Sequence, residues 1–516
     1  MQRFVGVVRT RFHERLVLGS EEKSMLKPDT EVPLARKQLY YGGEWHDALS
    51  GHTAEVRNPA TAETLGQVAW AGADDVDRAV TTAHEGFQKW RRMSPLERST
   101  LLRRAAAIIR SRAKEIASLD AADCGVPFRI TLADVEDGAL AFEFFAGLVT
   151  EVKGATIPVG NDNLNYTLRE PLGVIARINS YNHPFFYATS HSAPPLAAGN
   201  AVVIKPPEQA PLSSLLLAEL IGDLFPPGVI SVLPGGRDCG EALARHPRVS
   251  KVGVIGSIPT GKAVLKGAAD TLKKVSLELG GKNALIAFPD ANLAKVVPGI
   301  MKGMNFAFLG QSCGSTSRVF LHESIHDGVL DRVVESVRKL RFGDPVDPAT
   351  EMGCLISQAQ LDKVIHYVEL AKQGGARLVV GGKRPTEGHM AKGFYFEPTI
   401  FADVTPEMRI AREEVFGPVL SILKWRDEEE MFRAVNELDY GLSASIWTAN
   451  LSVAHRAAAR VEAGYIWIND AGPHYYGVPF GGYKQSGLGR EESFEELLDN
   501  TQIKNVNVSL DSPSRP

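Results

Sequence analysis

Short β-branched runs alternate with amphipathic stretches from Pro171 onward. The runs Gly173 to Ile178, Ala201 to Ile204, Val229 to Leu233, Val252 to Ile255, Val275 to Leu279 and Ala284 to Phe288 predict strands. Between them, Ser213 to Leu224 and Gly261 to Asp270 space their apolar residues as helices do. Strand, helix and strand repeated in this way predict a parallel sheet covered on both faces, so the class is α/β. Upstream, Ala73 to Ala117 and Thr131 to Gly147 interleave charged and apolar residues at three and four spacing and predict helices packed on the same unit. A second alternating region runs from about Leu279 to Asn469, with strands expected at Arg318 to Leu321, Arg377 to Val380 and Val419 to Trp425. Near the C-terminus, Val506, Val508 and Leu510 alternate with polar residues, so Ile503 to Leu510 is expected to offer a strand to a neighbour.

Length allows several such units, since 516 residues correspond to roughly two to four domains. Lys+Arg 57 against Asp+Glu 61 leaves a net charge of -4, which argues against a nucleic-acid or anionic-membrane partner. The apolar stretch Leu215 to Val229 is broken by Glu219, Asp223 and prolines, well short of the roughly 18 clean residues of a membrane span. Cys124, Cys239, Cys313 and Cys354 are scattered and form no CxxC pair, so no disulfide framework and no metal are expected, and the chain suits a reducing, cytoplasmic setting. Residues 1–38 read as a loose N-terminal arm: Arg3, Arg9, Arg11 and Arg15 suggest a transit peptide, but Glu14, Glu21 and Glu22 follow closely.

Two glycine-containing segments resemble phosphate loops and fail the full patterns. Gly256-Ser257-Ile258-Pro259-Thr260-Gly261-Lys262-Ala263 matches a P-loop as far as the lysine, but Ala263 replaces the hydroxyl that holds magnesium. It still follows a strand and opens a helix, where amides could receive a pyrophosphate; a plain strand-to-helix turn is the other reading. Gly235-Gly236-Arg237-Asp238-Cys239-Gly240 has the wrong spacing for a dinucleotide fingerprint, so any dinucleotide must bind in another manner.

Three residues are candidates for covalent chemistry. Cys313 lies among small residues in Gly310-Gln311-Ser312-Cys313-Gly314-Ser315, where a thiolate could be reached by substrate and wrapped by amides, although free cysteines often serve only as core. Glu278 stands between two leucines at the end of an apolar strand, where burial would raise its pKa toward that of a general base; a paired or solvated carboxylate is the alternative. Asn182, in Ser180-Tyr181-Asn182-His183-Pro184, offers an amide donor or simply a turn residue before proline.

The order of these motifs resembles the NAD(P)-dependent aldehyde dehydrogenase superfamily from Tyr41-Gly42-Gly43-Glu44-Trp45 to the end of the chain. Its landmarks are Asn58-Pro59-Ala60-Thr61, Pro171 to Val174, Ala198 to Asn200 with Lys205-Pro206, Leu277 to Lys282, Gly310 to Cys313, Glu413 to Pro418 and Pro479 to Gly487. The resemblance implies a Rossmann-type cofactor domain (39–150 and 170–278), an α/β catalytic domain (279–478) and a β-strand oligomerisation arm (151–169 and 492–510) of a homodimer or homotetramer. It implies Cys313 as nucleophile, Asn182 with the Cys313 amide as oxyanion hole, and Glu278 as activator of the hydrolytic water. Lys205 and Glu208 would hold the adenine ribose, Gly236, Gly256 and Ser257 the adenine and pyrophosphate side, and Glu414 with Phe416 the nicotinamide ribose and ring. Ser180 and Leu279 complete the implied cofactor contacts. NAD is expected in preference to NADP, because Glu208 would repel a 2′-phosphate.

The chain departs from the family pattern at Ile255, Phe308, Tyr181 and His191, the last standing where many members carry a lysine thought to relay protons with the counterpart of Glu491. None of these changes removes a catalytic group. For the substrate, Phe186 and Tyr187 after Asn182, and His474, Tyr475 and Tyr476 before Pro479-Phe480, suggest a bulky, uncharged, aromatic aldehyde. Ser190 and Gly314 are expected to widen the tunnel, and the lack of Lys or Arg between Asn469 and Gly482 removes an anchor for a carboxylate. Three rivals remain: a betaine-type quaternary ammonium aldehyde caged by tyrosines, a CoA-acylating relative, in which the equivalent of Glu278 is commonly absent, and a non-catalytic relative with no need of Cys313, Glu278 and Asn182 together.

Overall fold

The computed structural model of the chain describes residues 36–510, so the arm expected at 1–38 falls outside the described residues except for its last three. Two large sheets organise these residues. In the first, parallel strands Ile230–Val232, Ala201–Lys205, Val174–Ile178, Val249–Gly256 and Lys274–Leu279 lie side by side in that order. Antiparallel strands close its edges, Leu39–Tyr41 and Glu44–His46 on one side and Gly487–Leu488 on the other. The alternation of strand side chains explains why both faces are covered. Val202 and Ile204 point into a cluster with Phe142, Leu196 and Leu215, whereas Ala201 and Val203 point to the opposite cluster with Val76, Val80 and Leu243.

The long helical stretch read from Ala73 to Ala117 is three helices, Ala73–Trp90, Pro95–Ser111 and Ala113–Cys124. Ser94 causes the first break. Its hydroxyl accepts from the Glu97 amide while the Glu97 carboxylate accepts from the Ser94 amide, and Pro95 occupies the first helical position. The following helix, Phe128–Leu148, packs against both of the last two.

The second sheet runs Arg377–Val380, Thr399–Ala402, Val419–Trp425, Arg318–His322, Ala284–Ala287, Ser443–Trp447 and Tyr465–Ile468, parallel throughout except at its first pair. The C-terminal strand spans Thr501–Ser509 and forms the outer edge of a small sheet. It pairs antiparallel with Asn163–Pro171 of its own chain, from Thr501 opposite Pro171 to Ser509 opposite Asn163, and Thr156–Ile157 extends that small sheet. No helix among the described residues is long and apolar enough to cross a membrane.

Candidate active site

The first sheet reverses its strand order between Val174–Ile178 and Val249–Gly256: the chain first builds toward Ile230–Val232, then returns to the other side. At such a switch point, loops leave the carboxyl ends of the strands in opposite directions and open a crevice. Ser180, Lys205, Gly236, Gly256, Ser257 and Leu279 all lie at or just beyond that edge, with Ile178 opposite both Lys205 and Val254, and Gly256 opposite Leu279. Lys205 is buried, and its ammonium donates only to the Pro206 carbonyl at 3.3 Å, so donor capacity remains for a ligand. Burial holds its pKa below the usual lysine value, against the pull of Cys239 and Glu208, and Glu208 itself is exposed. Ser257 caps the helix Ile258–Ala269 by accepting from the Thr260 amide at 3.4 Å. These residues fit a dinucleotide: a cation with spare donors and two helix N-termini, at Gly236 and Ser257, share one crevice.

From that crevice the strand bearing Glu278 passes through Gly280-Gly281-Lys282-Asn283 into the second sheet. Close approach demands the glycines. A Cβ on Gly280 would lie 2.3 Å from Glu414 Oε2, and one on Gly281 would lie 2.8 Å from the Cys313 carbonyl oxygen. The Gly281 amide donates to Glu414 Oε1 at 3.0 Å, and the Asn283 amide group donates to the carbonyls of Cys313 at 2.6 Å and Ser315 at 3.1 Å. Glu414 and Phe416 arrive on the loop before Val419–Trp425, and the Phe416 ring meets Tyr181 edge-on at 5.8 Å between centroids. The Cys313 loop is bent by Asn305, Leu309 and Gly310 in the left-handed region; a Cβ on Gly310 would lie 2.2 Å from the Gly417 carbonyl oxygen.

A cavity opens onto Cys313. Its wall holds Glu278, Gly314 and Ser312 beside the thiol, with Phe186, Tyr187, Phe308, Trp467 and Phe480 as aromatic faces and His183, His191, His474, Glu491 and Glu492 as polar ones. Among the described residues, no Lys or Arg lines it. Cys313 is the one cysteine with an open surface; Cys124, Cys239 and Cys354 are buried. Its thiol is pushed well up by burial first and by the neighbouring Glu278 carboxylate second, while the Gly314 amide pulls it back in part. Burial likewise raises Glu278 well above the ordinary carboxylate, with Glu491 adding to the effect. Glu278 adjoins the thiol, yet neither of its oxygens makes a well-formed hydrogen bond, so the carboxylate is available to a water or a substrate. Within this wall, Glu491 is clamped by Arg177 at 3.0 Å and His191 at 3.2 Å. Burial opposes its ionisation, but the His191 and Arg177 contacts outweigh it and hold Glu491 low; Arg177 is the permanent cation, since burial also lowers the His191 pKa.

Of the expected substrate residues, Phe186, Tyr187 and His474 line the cavity, and Ser190, Tyr475 and Tyr476 do not. Ser190 is buried at the end of the helix Pro184–Ser190 and does not itself line the cavity. Tyr476 is tied into the core: its hydroxyl donates to the Asp137 carbonyl at 3.0 Å and its ring stacks on Phe144. Asn182 is buried just behind the wall, where the Tyr187 hydroxyl reaches its side chain. Trp467, Phe480 and Asn305 were not singled out for the pocket from sequence; the alternating strand that carries Trp467 resembles any core strand.

Two packed parallel-strand units that share a crossing segment and an open thiol define the class: an α/β enzyme fold with the cleft between its sheets. The aldehyde dehydrogenase family model matches residues 45–506, and the chain belongs to that family. It is 50% identical over 494 residues to aldehyde dehydrogenase tropH of Talaromyces stipitatus, covering 94% of this chain and 95% of that one. Among solved structures, PnpE from Pseudomonas sp. WBC-3 in complex with nicotinamide adenine dinucleotide aligns with a TM-score of 0.91 at 40% identity, over 93% of this chain and 99% of that one. The NAD+ complex of an aldehyde dehydrogenase from Bacillus cereus aligns with a TM-score of 0.89 at 37% identity, over 96% and 99% of the two chains.

Thiol chemistry gives the geometry a direct test. Brief iodoacetamide treatment of the ligand-free protein, followed by peptide mass analysis, should label Cys313 and spare the three buried cysteines. Because burial and Glu278 both raise the thiol, labelling should keep accelerating above the ordinary thiol pKa of about 8.5. Glu278→Gln, which removes the nearby negative charge, should raise the labelling rate at fixed pH; an unchanged rate would separate the two groups.

Proposed function

We propose that the protein oxidises an aldehyde to the carboxylic acid, with NAD as hydride acceptor and Cys313 as nucleophile. The observation that carries this reading is the open Cys313 thiol beside the buried, unpartnered Glu278 carboxylate in an aromatic cavity. When bound, the cofactor accepts hydride and brings a positive charge that favours the thiolate. Lys205, Glu208, Gly236, Gly256 and Ser257 would hold its adenosine and pyrophosphate, with Ser180 and Leu279 alongside; Glu414 and Phe416 would hold its nicotinamide end. The NAD complexes of PnpE and the Bacillus cereus enzyme support this choice.

The raised thiol needs a base, and Glu278 adjoins it. Attack of the thiolate on the aldehyde carbon forms a thiohemiacetal, whose oxygen would be met by the Asn182 amide and the Cys313 backbone N–H, each worth about 3 kcal/mol. Loss of hydride from that carbon leaves a thioester on Cys313. Glu278 then takes a proton from water as the water attacks the thioester, releasing the acid and the free thiolate. A buried carboxylate with no partner suits this second step and argues for water over CoA as acceptor. The clamped Glu491 and His191 line the same cavity and offer a path for the proton that Glu278 must discard.

Aromatic walls and the absence of Lys or Arg support a bulky aldehyde without a carboxylate. The acidic residues Glu491 and Glu492 with Trp467 and Phe480 also suit a quaternary ammonium aldehyde, which keeps that second reading in play. The small sheet built on Thr501–Ser509, with exposed Leu164, Leu168 and Ile503, supports self-association as a dimer or tetramer. Four free cysteines, three of them buried, suit a reducing cytoplasm.

Cys313→Ala should abolish aldehyde oxidation and keep NAD binding. Glu278→Gln should slow the steady state and let an acyl-enzyme build up on Cys313, seen by rapid mixing and intact-mass analysis. Because only the ionised Glu278 can take the proton and burial raises its pKa, wild-type deacylation should speed up as pH rises, and the Gln variant should lose that rise. Appreciable oxidation by Cys313→Ala would refute the nucleophile.

For the cofactor, kcat/KM with NAD should exceed that with NADP, and Glu208→Gln should narrow the gap. A clear NADP preference would reverse the assignment of Glu208.

Benzaldehyde, a long aliphatic aldehyde, betaine aldehyde and succinic semialdehyde, compared by kcat/KM, test the pocket. Benzaldehyde-type substrates should lead, and a strong preference for succinic semialdehyde would mean that the pocket had been misread.

A further inference from the structure

His183 follows Asn182 and caps the short helix Pro184–Ser190, and its ring forms part of the cavity wall. The ring is wedged among aromatics, with Phe308 at 4.2 Å, Tyr187 at 5.3 Å and Phe186 at 5.9 Å between centroids. Its Nδ1 lies 2.9 Å from Oδ2 of Asp134, a residue that is 1% exposed on the helix Phe128–Leu148. A carboxylate only accepts, so Nδ1 carries the proton, and the tautomer this fixes leaves Nε2 as the ring's acceptor nitrogen. Among the described residues only Nδ1 of this ring is hydrogen-bonded, so the ring lines the cavity with one edge fixed to Asp134 and Nε2 left over. Asp134 is an expensive way to hold a wall residue. Burying a carboxylate costs free energy that a phenylalanine at position 183 would not incur, and the dyad adds nothing to the thiol chemistry derived above.

We propose that His183, oriented by Asp134, is a specificity residue whose Nε2 accepts a hydrogen bond from a hydroxyl group carried by the aldehyde. The preferred substrates are then hydroxylated aromatic aldehydes rather than their ethers. This inference rests on the aromatic-aldehyde reading of the cavity. With no Lys or Arg on the wall, no other group there competes to bind the substituent as an anion. An ether oxygen cannot donate and would leave Nε2 buried against an acceptor, the kind of mismatch that discriminates strongly.

The test compares kcat/KM for benzaldehyde, 3- and 4-hydroxybenzaldehyde and the two corresponding methoxybenzaldehydes. At least one hydroxy compound should exceed its methyl ether by about tenfold or more in the wild-type enzyme. His183→Phe, which keeps an aromatic wall, should bring that ratio toward one. Asp134→Ala, which frees the ring, should lower the ratio chiefly through KM; a purely structural role would lower both substrates alike. A wild-type enzyme that treats both hydroxy compounds as it treats their ethers overturns the proposal without any variant. A ratio unchanged in either variant overturns it as well. Failure of the underlying reading looks different: none of the five aromatic aldehydes is oxidised while aliphatic aldehydes are.

Discussion

Everything at this site depends on the four-residue crossing Gly280-Gly281-Lys282-Asn283. It joins the last parallel strand of one sheet to the first strand of the other, and it touches each chemical group. Glu278 sits two residues before it, Gly281 holds Glu414, and Asn283 holds the carbonyls on either side of the Cys313 loop. Arg318 donates to the Lys282 carbonyl at 2.8 Å, and Ser486 donates to the Gly280 carbonyl at 2.8 Å. The crossing is thus fixed from the second sheet and from the C-terminal segment at once. A displacement of any of these elements would separate the Glu278 carboxylate from the Cys313 thiol, and in an active site a misplacement of about 1 Å can cost 10²-fold in rate.

Desolvation is the second organising effect. It raises Cys313, Glu278 and Glu414 together, so the ligand-free site is poised away from charge. Glu491 is the exception, because the buried Arg177 guanidinium and a hydrogen bond with His191 hold its carboxylate low against the effect of burial. Two carboxylates in one cavity are thereby driven apart in acidity, one ready to hold a proton and the other to stay ionised. That separation arises from partners on other strands and helices, not from either glutamate's own neighbours.

Strand positions were legible because β-branched runs bounded by glycine or proline have few other uses: Arg377–Val380 and Val419–Trp425 run as their patterns suggest. Breaks were harder to read. The helical patterns from Ala73 to Ala117 gave no boundaries; the Ser94–Glu97 capping box with Pro95 at the first helical position starts the second helix after the first ends at Trp90. The C-terminal strand was visible as a strand, but its partner, Asn163–Pro171, lies more than 300 residues away, and no local pattern reports such pairing. Cys313, Glu278 and Asn182 stood out as residue types, whereas the Asp134–His183 pair joins residues far apart in sequence, each unremarkable alone.

The aromatic residues show why composition near a site is a weak guide to a pocket. Phe185, Phe186 and Tyr187 are consecutive on one helix turn, yet Phe185 is fully buried in the core while Phe186 and Tyr187 reach the cavity. Successive helical positions point about 100° apart, so a run of rings cannot all face one space. Tyr476 is withdrawn by a hydrogen bond to the Asp137 carbonyl, and Tyr475 does not reach the wall. What remains is a wall in which Trp467 and Phe480 supply breadth, and three histidines supply its nitrogen groups. The space beside Cys313 is therefore bounded by flat rings. Of its histidines, His183 is tied by Asp134, His191 by Glu491 and His474 by Glu492, so the polar points of the wall are fixed by partners drawn from outside the aromatic runs.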